Sequence, residues 1–131
     1  IIGVDSSDLM VQSFKSNFPE AEAHHLPMQD YVFPNTEIGG VLCWGCLFHL
    51  TPDEQIKFLS KVFNVVAIGG RFLFTAAKEK SEKTGEMNDV TFNYYSLGSA
   101  KYNQLAKDAG WILIHESEDK DRNYEYLFER R

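Results

Sequence analysis

Long apolar runs are missing from this chain. The longest, Ile38 to Phe48, falls well short of the roughly 18–20 residues a membrane span needs and carries two glycines near its start. A basic stripe is also missing. The formal net charge is −6, which makes a nucleic-acid backbone an unexpected partner, and the acidic balance serves solubility while saying little about fold. Cysteine is scarce. Cys43 and Cys46 are the only two, too few to staple a domain of this size, and with no signal peptide visible they point to a reducing cytoplasm. No internal repeat is visible.

What is present suits one packed domain over residues 1–131. Hydrophobic residues make up 44% and charged residues 24%, and ten Phe, six Tyr and two Trp supply a core. There is no initiator Met or polar leader. Instead Ile1-Ile2-Gly3-Val4-Asp5 is an apolar run ending on an acid, which reads as an internal strand of a parallel α/β domain. Asp5, Ser6 and Ser7 can each cap the helix that follows, with Leu9, Met10, Phe14 and Phe18 on its apolar face. Pro19 stops it. Glu20 to His25 reads as a short strand, Leu26 to Thr36 as a loop and Val41 to Trp44 as a buried strand.

Thr51-Pro52-Asp53-Glu54 is a strong helix start, with Thr51 as N-cap, Pro52 in the first helical position and Glu54 completing a capping box. Ile56, Leu59, Val62, Phe63 and Val66 mark the buried side of that helix, Gly69-Gly70 is expected to end it, and Arg71 to Ala76 is the next strand. The charges and glycine of Lys78 to Asn88 predict a flexible surface loop, extending to about residue 91. Phe92 to Tyr95 reads as a short strand or lid. Ser99 to Ala109 is helical, with Tyr102, Leu105, Ala106 and Ala109 inward and Gly110 as C-cap. Trp111 to His115 and Tyr124 to Phe128 form a terminal antiparallel hairpin. The fold class is α/β: a Rossmann-like, mostly parallel sheet with helices on both faces, closed by that hairpin and incomplete at its N-terminal end.

Several segments resemble the class I S-adenosylmethionine-dependent methyltransferases of the small-molecule type. GVDSSDLM (Gly3 to Met10) is similar to the end of the family's second strand and the helix after it. PMQDYVFP (Pro27 to Pro34) resembles its adenine-flanking loop. GGVLCWGCLFHLTPDEQIKFLSKV (Gly39 to Val62) resembles the fourth strand, loop and next helix, and VAIGGRFLFT (Val66 to Thr75) the glycine turn into the fifth strand. Tyr94 to Ser96 and Leu105 to Trp111 resemble its late lid and final helix. The family's first strand and Gly-x-Gly-x-Gly turn have no counterpart here. The resemblance therefore implies a truncated domain whose sheet splits into a second–third strand pair and a fourth–fifth–seventh–sixth group, with edges through which the chain can self-associate.

The resemblance also implies a site. S-adenosyl-L-methionine is the expected cofactor, held by Asp5, Ser6, Met10, Met28, Gln29, Trp44 and Gly45. Asp5 suits the ribose hydroxyls, Met10 the adenine, and Trp44 with Gly45 the methionine portion. Pro27 stands where the family often has an acid for the adenine amino group, which leaves that contact to Met28. His49 is a candidate base, and Tyr95, with Phe92 and Tyr94, lies where the family's lid covers the acceptor. Cys43-x-x-Cys46 lacks both the helix N-terminus of a redox pair and the second pair of a zinc site, so no metal is expected. His24 and His25 point to opposite faces of their strand and serve poorly as joint ligands.

The reading is methyl transfer to a small-molecule acceptor by a longer parent chain. Two rivals stand beside it. One is a non-catalytic fragment that folds or binds only with a partner chain. The other is an NAD-dependent Rossmann oxidoreductase, since an acid like Asp5 also serves that cofactor.

Overall fold

The computed structural model describes residues 1–131, which divide into two compact units, Ile1–Asn35 and Thr36–Arg131. The first holds strand β1 (Ile2–Asp5), helix α1 (Asp8–Asn17) and strand β2 (Glu22–His25). β1 and β2 pair in parallel, Ile2 opposite Glu22 and Asp5 opposite His25. Ser7 is the N-cap of α1, its hydroxyl accepting the Met10 N–H at 3.4 Å. The helix lies close against β1: a Cβ on Gly3 would fall 2.8 Å from the Phe14 ring. The apolar face expected from Leu9, Met10 and Phe18 is not buried. Val11 is the helix's one buried residue, while Leu9 is 78% exposed. Two short strands offer too little surface within this unit to cover a broad stripe.

The second unit holds strand β3 (Ile38–Cys43), helix α2 (Pro52–Val65), strand β4 (Val66–Thr75), strands β5 (Ser81–Met87) and β6 (Val90–Ser96), helix α3 (Ser99–Asp108), and strands β7 (Trp111–Glu118) and β8 (Tyr124–Arg130). Its main sheet runs β3-β4-β8-β7, with β3 and β4 parallel and β8 antiparallel to both neighbours. The split into a two-stranded pair and this group of four is the one the resemblance implied.

The core sits on one face of that sheet. Phe72 and Phe74 alternate along β4 and lie opposite Phe128 and Tyr126 of β8. Phe74 stacks on Tyr126 at 5.0 Å between ring centroids. α2 sends Phe63 against Phe72 and Trp111, and α3 sends Tyr102 against Phe74 and Tyr126. Such pairs contribute about 0.5–1.5 kcal/mol each beyond the area they bury.

α2 starts as its sequence predicts, with the Thr51–Glu54 capping box formed in both directions. Its end differs. The helix stops at Val65, and Gly69-Gly70 lies inside β4. Val66 is fully buried and already extended, and Gly69 takes a φ of +83° at an irregularity in the β3–β4 register. A side chain on Gly70 would strike Val66 and come within 2.8 Å of the Gly39 carbonyl oxygen. The glycines thus serve close strand approach, not helix capping.

The segment read as a loop from Lys78 is also different. Ser81–Met87 is a strand, paired residue for residue with Val90–Ser96. Asn88 and Asp89, with φ of 53° and 63°, make the two-residue turn. Both central residues in the left-handed region is the type I′ geometry that matches strand twist. β5 carries almost no apolar residue of its own, so its pattern gave no strand signal.

Candidate functional site

Within Ile1–Asn35, the C-terminal end of β1 is the chemically interesting point. Asp5 is exposed, and its Oδ1 accepts the Ser7 backbone N–H at 2.7 Å. The carboxylate therefore braces the turn into α1. The Asp5 carbonyl takes the Leu26 N–H at 3.0 Å, and the Ser6 carbonyl accepts from His25 Nε2 at 3.1 Å. These bonds tie the ends of β1 and β2 together.

Asp5 and Met10 line one small cavity of about 150 Å³ with Gly3, Phe14 and Ala23. Met10 is exposed, not a core methionine. The cavity is smaller than the roughly 300–1,000 Å³ usual for small-molecule sites, so it can seat part of a ligand only. Met28 and Gln29 do not line it. They lie in the short 3₁₀ turn Met28–Asp30, which follows directly from the Leu26 bond to Asp5.

Within Thr36–Arg131, the parallel strands β3 and β4 end side by side, the position where open α/β sheets place ligands. Trp44 is 45% exposed. Gly45 adopts a φ of +69°, and a Cβ added there would meet nothing within 4 Å. Its N–H donates to Thr75 Oγ1 at 2.9 Å. Thr75 is buried at the end of β4 and was not marked by the sequence. Cys43 is buried beside Cys46. A hydrogen bond with the Cys46 side chain, then burial, pushes the Cys43 thiol well up, which keeps it protonated and unreactive.

His49 and the β5–β6 hairpin come together. The His49 ring lies 5.0 Å from Tyr94, 5.3 Å from Phe92 and 4.8 Å from Phe48. His49 Nδ1 donates to the Asn93 carbonyl at 3.2 Å. A carbonyl can only accept, so the neutral ring carries its proton on Nδ1 and leaves Nε2 with a free lone pair. Tyr95 is held through its backbone: its carbonyl accepts from Gln55 Nε2 at 3.0 Å. Gln55 is fully buried, also donates to the Leu50 carbonyl, and takes the Tyr102 hydroxyl at 2.7 Å. The Leu97 N–H completes this network on the Tyr102 oxygen. No sequence motif marks Gln55. The available signal was a polar residue inside the apolar stripe of α2.

A second cavity, of about 320 Å³, is lined by Phe48, Ala77, Ser81, Lys83, Thr84, Tyr94, Tyr95 and Ser96. It brings Tyr95 together with β5, a strand whose sequence carries no strand signal.

The family model of a methyltransferase domain matches residues 1–70. The chain belongs to that family. Solved structures with the fold of this methyltransferase domain include the CcbJ methyltransferase from Streptomyces caelestis, 15% identical with a TM-score of 0.74, covering 99% of this chain and 79% of that one. A putative S-adenosylmethionine-dependent methyltransferase from Listeria monocytogenes is 14% identical with a TM-score of 0.77, again covering 99% and 79%. CalS10 from Micromonospora echinaspora, an amino pentose methyltransferase solved with S-adenosylmethionine bound, is 10% identical with a TM-score of 0.75, covering 99% and 73%. No curated protein sequence matches this chain. The family is the one the sequence motifs resembled, and no helix is long and apolar enough to cross a membrane.

Proposed function

We propose that this chain carries out, as part of its protein, methyl transfer from S-adenosylmethionine to a small-molecule acceptor in the cytoplasm. The family match over residues 1–70 carries the reading. The small-molecule class draws support from relatives such as the amino pentose methyltransferase and from the acidic net charge, which disfavours nucleic acid.

The residues present suit the cofactor. Asp5 offers a carboxylate oxygen to ribose hydroxyls beside an exposed Met10 for adenine. Within Thr36–Arg131, taken by itself, Gly45 has open space where a Cβ would stand, beside the half-exposed Trp44, which suits a methionine portion. Ser6, Met28 and Gln29 supply the remaining adenine and ribose surface. Bound there, the cofactor supplies a methyl group on a sulfonium, already a potent donor. So held, it would give its methyl carbon to the acceptor atom, the electron pair of the methyl–sulfur bond staying on sulfur. The chain's own contribution is alignment, which lowers such barriers by roughly 7–11 kcal/mol at best. An acceptor hydroxyl or N–H must then lose a proton, and His49 Nε2 is free to take it. Tyr95 is the second candidate on the acceptor side.

Titration of the purified protein with S-adenosylhomocysteine tests this. Micromolar binding that weakens in Asp5→Ala supports it. Absence of binding overturns it and favours the partner-dependent, non-catalytic reading. The NAD-dependent alternative predicts binding of NAD instead, and the family match speaks against it. Self-association follows from the same picture, because β1 pairs only with β2, and β3 only with β4. A concentration-independent monomer in light scattering would remove that part of the proposal.

A further inference from the structure

We infer that the 320 Å³ cavity against the hairpin takes a flat aromatic molecule bearing an anionic group, and that this is the class of the acceptor. The naming of the ligand as acceptor rests on the methyl-transfer reading; the ligand chemistry rests on the cavity alone.

The cavity volume lies at the low end for small-molecule sites, enough for a small ring system. Its walls include three aromatic rings, Phe48, Tyr94 and Tyr95. Tyr94 is set in place from two sides. Its ring lies over Gly85, where a Cβ would come within 2.9 Å of it, and its other contacts are Phe48 at 5.5 Å and His49 at 5.0 Å. A ring held this firmly presents a flat stacking surface at little entropic cost.

An aromatic wall by itself also suits an alkylammonium through cation–π attraction. Charge decides between the two. The one ionisable side chain on the lining besides the tyrosines is Lys83, directly across the strand pair from Tyr94, and it makes no ion pair. No carboxylate lines the cavity. A second cation would meet an uncompensated ammonium, whereas a carboxylate would gain a charge-assisted partner. The Ser81 and Thr84 hydroxyls add polar contacts on the same side.

Calorimetric titration of the purified protein with para-hydroxybenzoate, its uncharged methyl ester and tyramine separates the charge classes. The acid should bind tightest and tyramine weakest. Lys83→Glu should invert the order of acid and amine, each moving about fivefold, the scale of a partly exposed charge contact. Tyr94→Ala should weaken all three together by about tenfold, and Tyr94→Phe, which keeps the ring and the hairpin, should leave them unchanged. Tyramine binding as tightly as the acid, or an order untouched by Lys83→Glu, overturns the inference. Binding of S-adenosylhomocysteine in the same samples keeps the two readings apart. Its failure beside the expected aromatic series removes the methyl-transfer reading and leaves the cavity's ligand class standing.

Discussion

Of the nineteen apolar side chains that are buried, only Val11 and Tyr31 belong to Ile1–Asn35; the rest belong to Thr36–Arg131. The smaller unit is held chiefly by strand pairing, a capped helix and the hydrogen bonds around Asp5. The larger one has interlocked aromatics and the Gln55–Tyr102 network. The proposed nucleotide contacts are drawn mostly from the lightly built unit and the proposed acceptor contacts from the densely built one. Segments with few buried contacts open most readily, so ligand binding should order the first unit more than the second.

The largest way to break the contrast is Phe74→Ala. It removes a fully buried ring that touches Phe72, Tyr102, Tyr126 and Phe128, and should cost about 3–5 kcal/mol in urea unfolding. Tyr102→Phe comes next. It strips the hydroxyl that bonds Gln55 and Leu97 in a buried site, for a loss of about 1–3 kcal/mol by the same measurement. Asp5→Ala sharpens the comparison from the other side. S-adenosylhomocysteine affinity should fall by about 1–3 kcal/mol, while the unfolding midpoint of the larger unit stays put.

Two pH effects are smaller. Burial, first of all, raises the pKa of Tyr126 and Tyr102, which holds back their ionisation. A raised folded-state value means that stability is complete below the ordinary tyrosine range near pH 10 and declines as pH climbs beyond it. Phenolate absorbance should therefore lag in the folded protein and rise together with unfolding, and Tyr126→Phe should blunt that alkaline loss. Smallest is Asp119. Hydrogen bonds from Asn123, side chain first, lower its pKa in the β7–β8 turn and favour the carboxylate. Its contribution is present above the usual carboxylate range near pH 4 and fades as pH falls through the folded value. Asp119→Ala should flatten that acid limb with little change at neutral pH.

Much of this was legible because local signals and global fold agree. The Thr51 capping box, the apolar stripe of α2 and the Tyr102–Ala106 face of α3 name the elements that build the larger core. The order of motifs named the family. Three features were hidden for definite reasons. β5 is polar, and its pairing is specified by its partner and by the Asn88-Asp89 turn. Gly69-Gly70 looks like a helix stop in sequence, but the burial of Val66 ends the helix earlier. Leu9 and Met10 have helical spacing, yet their unit offers no broad surface to cover. In the candidate site, Asp5 and His49 could be picked out by residue type and position, whereas Thr75, Gln55 and Lys83 act through tertiary neighbours no local pattern records.

The β5–β6 hairpin forms a sheet of its own and is closed by two residues. It is fastened to its surroundings by the Tyr95 carbonyl on Gln55, the Asn93 carbonyl on His49 and the Ser96 hydroxyl on Ala77, and by the Phe92 and Tyr94 rings against His49 and Phe48. The exposed β5 side chains Glu82, Lys83, Thr84, Glu86 and Met87 take no part in these contacts and can be exchanged without loosening the clasp. The hairpin is an interchangeable cartridge: the proposed selectivity can be rewritten in a few consecutive codons while the main sheet, with its six aromatic residues, is inherited intact.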